Sequence, residues 1–474
     1  MGSTKSERTT TTSDQYEEQH SYFPHWRLKR EGVIAPDERL PWGPTILVGL
    51  QHVLAMFGST VFAPLAMGFD PNIAIFFSGI GTLIFFLIVG GRIPSYLGSS
   101  FAFIGVVVAV TGYNAATMVG GNPNIPIALG GIVAAGAVYA VIALITILAG
   151  HRWIEVLMPP VVTGSVVIAI GLNLAGSAVS GAASNQFSGW MAAVTILAVA
   201  GIAVYAPGSL RRLAILVGGI IGYVVNLLCG LAGIGPAIDF SRVSSSAWIG
   251  LPHFVTPHFT GNAVSLIAPV AIILAAENIG HVKAVSAMTG RQLDKYLGRA
   301  FLGDAVATII AGSAGGTGVT TYAENIGTMA VSRIYSTLIF VVASIVAILL
   351  GFCPKFGALI STIPTGVFGG LEITLFGMIA VSGARIWVEN KVDFSQSRNL
   401  ITAAVSVILG AGMVNGIVVK FGSITFDGIG VATFSAIILY QILRERYSLP
   451  EEAPVADSPV GIQPTGEGND PPKA

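Results

Sequence analysis

The chain has 474 residues, of which 53% are hydrophobic and 10% charged, with mean hydropathy +0.76 and zero formal net charge. A soluble domain carries roughly 25% charged residues, so most of this chain is written for lipid. A neutral chain offers no basic surface for nucleic acid, and Cys229 and Cys353, lying near apolar stretches without metal-ligand spacing, read as packing residues.

Residues 1–42 are polar, rich in Thr, Ser and Glu, and lack the apolar core of a cleaved signal peptide. Residues 23–30 mix aromatic and basic side chains, and two readings stay open for them: a rest at the membrane interface, or a disordered tail. Fourteen spans of about 17–25 residues follow. The first seven begin near Trp42, Pro71, Pro94, Pro126, Trp153, Ser188 and Leu213. The second seven begin near Ala263, Tyr296, Thr317, Tyr335, Ala358, Asn399 and Asp427. Residues 449–474, rich in Pro, Gly and acids, read as disordered. With both termini inside, all of the 24 Lys and Arg except Arg242, Lys355 and Lys420 fall on inner loops and tails, as the positive-inside rule asks. Lys283, at the edge of span eight, is the least secure of these placements.

Spans three and ten are irregular. Residues 315–329 begin as glycine and β-formers, pass through Glu324 and Asn325, and end as a short helix-compatible run before Arg333. Non-helical backbone at membrane depth is tolerated where it is buried in protein or lines a cavity, so this break points to a binding site. Residues 98–103 form a matching break in span three. Gln51-His52 and Glu277-Asn278 are 226 residues apart, and the two breaks share about that offset. Seven spans per repeat is an odd number, so the second repeat is inverted, a secondary-transporter signature with its site near the midplane.

Four acidic residues fall inside spans: Glu277, Asp304, Glu324 and Glu372. Glu277 and His281, at i and i+4, share a helix face; the pair serves either helix packing or proton handling, and its desolvation cost favours the latter. Asp304 and Glu372 have no neighbouring break and read as packing or coupling residues rather than ligands. After each break a half-helix starts, and its free N–H groups carry partial positive charge. Phe101 and Ala323 can present backbone N–H groups to substrate carbonyls, and the Phe101 ring can stack on a flat heterocycle. Glu277 and Glu324 can accept from ring N–H groups. Donors facing acceptors in this way suit a neutral planar imide.

Gln51-His52-Val53-Leu54-Ala55-Met56-Phe57, Gly98-Ser99-Ser100-Phe101-Ala102-Phe103, Ala276-Glu277-Asn278-Ile279-Gly280-His281, and Tyr322-Ala323-Glu324-Asn325-Ile326-Gly327 through Ser332-Arg333 resemble, in register, the signatures of the nucleobase–ascorbate transporter family, in its bacterial uracil-permease branch. The resemblance runs from about Pro41 to Tyr447. It implies an all-α polytopic fold of fourteen segments in two inverted repeats, with strand-like breaks in segments 3 and 10. It also implies a core domain (43–149 and 263–352), a gate domain (150–233 and 353–446), an extracellular loop (234–262) and cytoplasmic tails (1–42 and 447–474). Substrate ligands would be Phe101 and Ala323 through backbone and Glu277 and Glu324 through side chains. Glu277, His281 and Glu324 would handle the proton, with His52 acting through water and Tyr322 and Asn325 in support. Two positions depart from the pattern: Ala323 stands where uracil permeases usually have Gly, and Phe376 where a gate Tyr is common.

The resemblance implies a proton-coupled importer of uracil or a related pyrimidine in the cytoplasmic membrane, and a homodimer; no cofactor, metal or nucleic-acid partner is expected. The rivals are a purine symporter of the same family, handling xanthine or uric acid, and an anion carrier of the same fold. Two carboxylates in the site weigh against the anion carrier. An intramembrane enzyme using Glu277 and His281 lacks a nucleophile or a soluble catalytic domain to go with them.

Overall fold

The computed structural model describes residues 21–113, 121–414, 417–421 and 424–443. The disordered tail expected at 449–474 and the first half of the N-terminal tail lie outside the described residues.

The chain enters through two short parallel strands, β1 (Arg27–Leu28) and β2 (Glu38–Arg39). Then come α1 (Trp42–Met67), α2 (Pro71–Val89), β3 (Leu97–Ser99), α3 (Ala102–Thr111), α4 (Ile125–Ala149) and the short α5 (Arg152–Leu157). Three long helices follow, α6 (Pro160–Ala182), α7 (Gln186–Tyr205) and α8 (Ala214–Leu231). After α9 (Ser241–Ser245) come α10 (Gly261–Ile267), α11 (Val270–Thr289), α12 (Leu297–Ser313), β4 (Val319–Thr321), α13 (Ala323–Ser332) and α14 (Thr337–Gly351). The chain finishes with α15 (Pro354–Ile360), α16 (Thr365–Glu389), α17 (Ser397–Gly412), the hairpin β5 (Val419–Phe421) and β6 (Ile424–Phe426), and α18 (Gly428–Ile442).

Among the described residues, eight helical spans are long and apolar enough to cross a membrane, and α14 with α15, bent by 85°, would make a ninth. The shorter α3, α17 and α18 are apolar as well. Most starts fall within a few residues of those expected, because capping residues are written locally: Asp70 caps α2 through Asn72 N (2.9 Å), and Asp427 caps α18 through Gly430 N (2.8 Å). Spans five and twelve differ. The expected start near Trp153 is instead the separate helix α5, ended by Pro159-Pro160, and the start near Ala358 lies inside α15, ended before Pro364. Proline cannot continue a helix but is well suited to open one, so each span begins afresh one residue beyond it.

The helices pack as two bundles. The first joins α1–α4 with α10–α14, and the second joins α6–α8 with α16–α18. Between the bundles, α3 and α11 touch α6, α1 touches α8 and α10 touches β6. Aromatic rings also meet there, Phe62 with Phe368 (centroids 5.4 Å apart) and Phe101 with Phe376 (6.4 Å).

The segment at 21–40 packs on the first bundle rather than standing loose. It straps the end of the first bundle that carries Arg92, Arg291 and Arg333, hereafter the basic end. Phe23 stacks on Phe86 of α2 (5.7 Å), Trp26 donates to Thr337 Oγ1 (3.0 Å), Ile34 N donates to Arg333 O (3.0 Å), and Asp37 pairs with Arg291. At the far end the loop before α10 makes a second strap, with Gly250 N on Phe352 O, Val255 N on Ala314 O and His258 N on Pro126 O.

Candidate functional site: the crossing of two broken spans

β3 and β4 meet antiparallel within the first bundle, pairing Leu97 with Thr321, Gly98 with Thr320 and Ser99 with Val319. Ser100 N to Gly318 O and Tyr322 N to Tyr96 O, both 2.9 Å, extend the ladder. Two-stranded pairing leaves one edge of each strand open, and buried backbone groups cannot stay unpaired. Threonines close those edges. Thr82 of α2 accepts from Leu97 N (2.9 Å), and Thr308 of α12 accepts from Val319 N (3.2 Å) while donating to Val319 O (3.1 Å). Thr82 and Thr308 are 226 residues apart, the offset of the repeat.

The strands cross so closely that side chains are excluded. A Cβ on Gly98 would lie 2.5 Å from the Tyr322 ring, and one on Gly318 would lie 2.1 Å from that of Phe103. Tyr322 locks the crossing, donating to Ser99 O (3.0 Å) and accepting from Thr60 of α1 (3.2 Å).

From this crossing α3 and α13 leave in opposite directions, and their first residues face the site. Among the described residues no acceptor meets the N–H of Phe101 or of Ala323. Ala323, Gly327 and Ala330 are exposed along one face of α13, and Gly280 and Ala284 continue the Glu277 face of α11. These small residues give α13 and α11 exposed faces that run toward the basic end. On the other side the site is shut by Phe101 on Phe376 and Phe62 on Phe368.

Glu277 and Glu324 are half-buried beside the crossing, close enough to feel each other's charge. Glu324 Oε1 accepts from Ser59 of α1. Thr320 lies beside Glu277, and its buried hydroxyl meets no partner within hydrogen-bond geometry among the described residues. His281 turns its Nδ1 to Thr321 Oγ1 (2.8 Å) and makes no ion pair with Glu277 within 4 Å, although the two share a helix face as expected.

The other expected residues lie around these groups. Asn325 holds His52 at both Nδ1 and the backbone O (3.0 Å each), and the ring packs on Phe340 (4.7 Å). His52 thus contacts α13 directly, inside the bundle. Asp304 accepts from Asn278 (2.6 Å), which also donates to Tyr139 (3.2 Å), in a fully buried cluster behind Glu277. Ser59 and Thr60 were not anticipated. A signal existed: Ser59 follows His52 by seven residues, two helical turns, and so shares its face.

These features have close counterparts. A model described as the permease family matches residues 43–419. A putative pyrimidine permease, RutG, of Escherichia coli strain K12 is 58% identical over 429 residues, covering 90% of this chain and 96% of its own length. The chain belongs to the nucleobase–ascorbate transporter family. A uracil permease of Bacillus caldolyticus is 41% identical over 430 residues (87% of this chain, 95% of its own). Among solved structures, the murine Solute Carrier 26 family member A9 anion transporter in the inward-facing state matches with TM-score 0.64 at 10% identity, covering 92% of this chain and 73% of its own. The transmembrane domain of the cyanobacterial bicarbonate transporter BicA matches with TM-score 0.58 at 15% identity (83% and 96%). At such identities the likeness concerns the fold, an inverted repeat with a core and a gate. As a member of this family the chain is a multi-pass membrane transporter and not an enzyme.

Proposed function

We propose that this permease imports uracil or a related pyrimidine nucleobase by proton symport across the cytoplasmic membrane. The first bundle serves as the mobile core and the second as the gate. The observation that carries the reading is the pairing of two unsatisfied N–H donors, on Phe101 and Ala323, with two carboxylates, Glu277 and Glu324, at one crossing. A planar imide offers carbonyl acceptors and ring N–H donors in the complementary order, and the Phe101 ring supplies a face for stacking. The names of the relatives at 58% and 41% identity support the same substrate class.

Uptake would follow these exposed faces. With the basic end on the cytoplasmic side, they would face inward, and both termini would lie in the cytoplasm. Substrate and proton would enter from outside once the two aromatic contacts part, and would leave beside Gly280 and Ala323. A proton on Glu277 or Glu324 would relieve the repulsion between two carboxylates in a drying site. His281 would exchange it, and Tyr322, Asn325 and His52 would hold α13 in place. Assembly as a homodimer belongs to the same proposal.

The anion carriers among the fold neighbours suggest the contrasting cargo, but an anion would meet two carboxylates here. Radiolabelled uracil uptake into proteoliposomes, with and without an inward proton gradient and with xanthine and thymine as competitors, tests the proposal. Gradient-driven accumulation of uracil is expected. Uptake of sulfate or bicarbonate in its place would overturn it.

A further inference from the structure

Glu372 has no part in the crossing, yet it occupies a telling place. It is 6% exposed, on α16 of the gate, and no donor reaches its carboxylate among the described residues. Phe368, Glu372 and Phe376 recur every four residues and so lie on one face. Phe376 meets Phe101 and Phe368 meets Phe62, so Glu372 lies between the two aromatic contacts that shut the far side of the site. Gly181 of α6 would bring a Cβ to 3.9 Å from Glu372 Oε2, so a glycine without a side chain stands on that side. The titratable group facing it is Tyr113, just beyond α3 of the core, near enough to feel the carboxylate but joined by no hydrogen bond. Neither α6 nor the adjoining turns of α7 carry a titratable side chain, and Tyr223 of α8 is taken by Thr362 (2.7 Å). In α1, His52 is engaged by Asn325.

An unpartnered buried polar group calls for an explanation. An ionised carboxylate here would forgo water without gaining a donor, which is expensive at membrane depth. The neutral acid tolerates the site far better. Parting the aromatic contacts would admit water from the far end and make ionisation affordable.

We propose that Glu372 is a second proton-binding group, carried by the gate: neutral while the far-side path is closed, ionised when that path opens. On opening, the carboxyl O–H bond breaks and the proton passes to water on the far side; on closing, a proton from that water returns. The alternation of core against gate is thereby linked to external pH at a position separate from Glu277, His281 and Glu324. The inference rests on the transport cycle proposed above, but not on the identity of its substrate.

The closed state holds one proton more than the open state, so raising pH favours opening. While Glu372 is neutral when closed and ionised when open, the opening equilibrium rises about tenfold per pH unit. Hydrogen exchange at residues 102–113, followed by mass spectrometry on the full chain in lipid nanodiscs and corrected for intrinsic exchange, reads this directly. In wild type, the corrected rate should rise with pH, and in Glu372→Gln it should rise clearly less steeply. Glu372→Asp should keep the slope, which guards against a merely misfolded glutamine variant. Matching pH slopes in wild type and Glu372→Gln would overturn the proposal. Uracil counterflow, measured in parallel at equal pH on both sides, separates it from the proton-symport reading. If wild type shows the slope while an imposed gradient never drives accumulation, symport fails and the gate proton stands.

Discussion

The two bundles differ in how they are held together. The core is strapped at its basic end by residues 21–40 and at its far end by residues 250–258. It is stitched inside by side-chain hydrogen bonds such as Asn325 to His52, Asn278 to Asp304 and Thr60 to Tyr322. The gate rests on close helix packing, as where Gly171 faces Phe376 O and Gly383 faces Gly164 O, with few side-chain bonds between its helices, such as Asn173 to Gly410 O and Trp387 to Val161 O. Where core meets gate, aromatic pairs such as Phe62 with Phe368 and Phe101 with Phe376 join aliphatic contacts such as Ile215 beside Gly58. A body tied at both ends would move as a unit, and apolar contacts without fixed hydrogen-bond geometry would let it slide. The site rides on the tied body.

The largest effect should come from spoiling the crossing. Gly318→Val places methyl groups where the Phe103 ring already sits, and overpacking of this kind costs about 1–3 kcal/mol or more. Detergent-solubilised protein should melt earlier and bind no uracil. A comparable change in the gate, Gly219→Ala, where the nearest atom is a flexible Leu371 methyl group at 3.0 Å, should leave binding intact. Equal damage from both would erase the contrast between the bundles.

Next come the ligands on the core. Ala323→Val should hold substrate off the start of α13 and abolish transport, whereas Ala323→Gly should preserve it, because close approach to backbone needs a small residue. Glu324→Ala removes an acceptor and strands the Ser59 hydroxyl, at about 1–3 kcal/mol, or roughly ten- to hundredfold in uracil affinity. Glu324→Gln should bind weakly. Unchanged affinity in the alanine variant, by calorimetry, would remove Glu324 from the site.

Much of this was legible in the chain. The breaks could be read because Gly98-Ser99-Ser100 and Gly318-Val319-Thr320 contradict a helical period at membrane depth. Partners were harder. Nothing near Ser59 announces Glu324, 265 residues on, and nothing near His52 announces Asn325, because long-range hydrogen bonds leave no period in sequence. The helices α5 and α15 were merged into spans because hydropathy alone does not see the turn that proline enforces. Residues 21–40 read as tail because their aromatic residues pack on α2 and α14, not on each other's neighbours in sequence.

His281 should show a smaller and more selective effect. It bonds Thr321 rather than Glu277, so His281→Leu loses both a tie and a proton carrier. Thr321→Val loses the tie alone. If the ring handles the proton, the leucine variant should bind uracil and support partial counterflow but fail in uphill uptake, while the valine variant accumulates substrate. Failure of both to the same degree would make His281 a structural tie.

The smallest effect tests the strap. Trp26→Phe deletes the indole N–H bond to Thr337 but keeps a ring near Phe86, which Trp26 now stacks at 6.0 Å. One net hydrogen bond contributes about 0.5–1.5 kcal/mol. If the strap belongs to the rigid core, it keeps its contacts throughout the cycle, and their loss lowers stability without favouring either state. The variant should then melt slightly earlier while its uracil affinity and uptake rate per folded molecule match wild type. If the strap instead lets go during transport, weakening it would shift the balance between inward and outward states, and uptake would change with the melting temperature unmoved. Measuring both on one reconstituted preparation separates a tie that stays closed from one that opens each turn, and so decides whether the core ends at α1 or includes the segment before it.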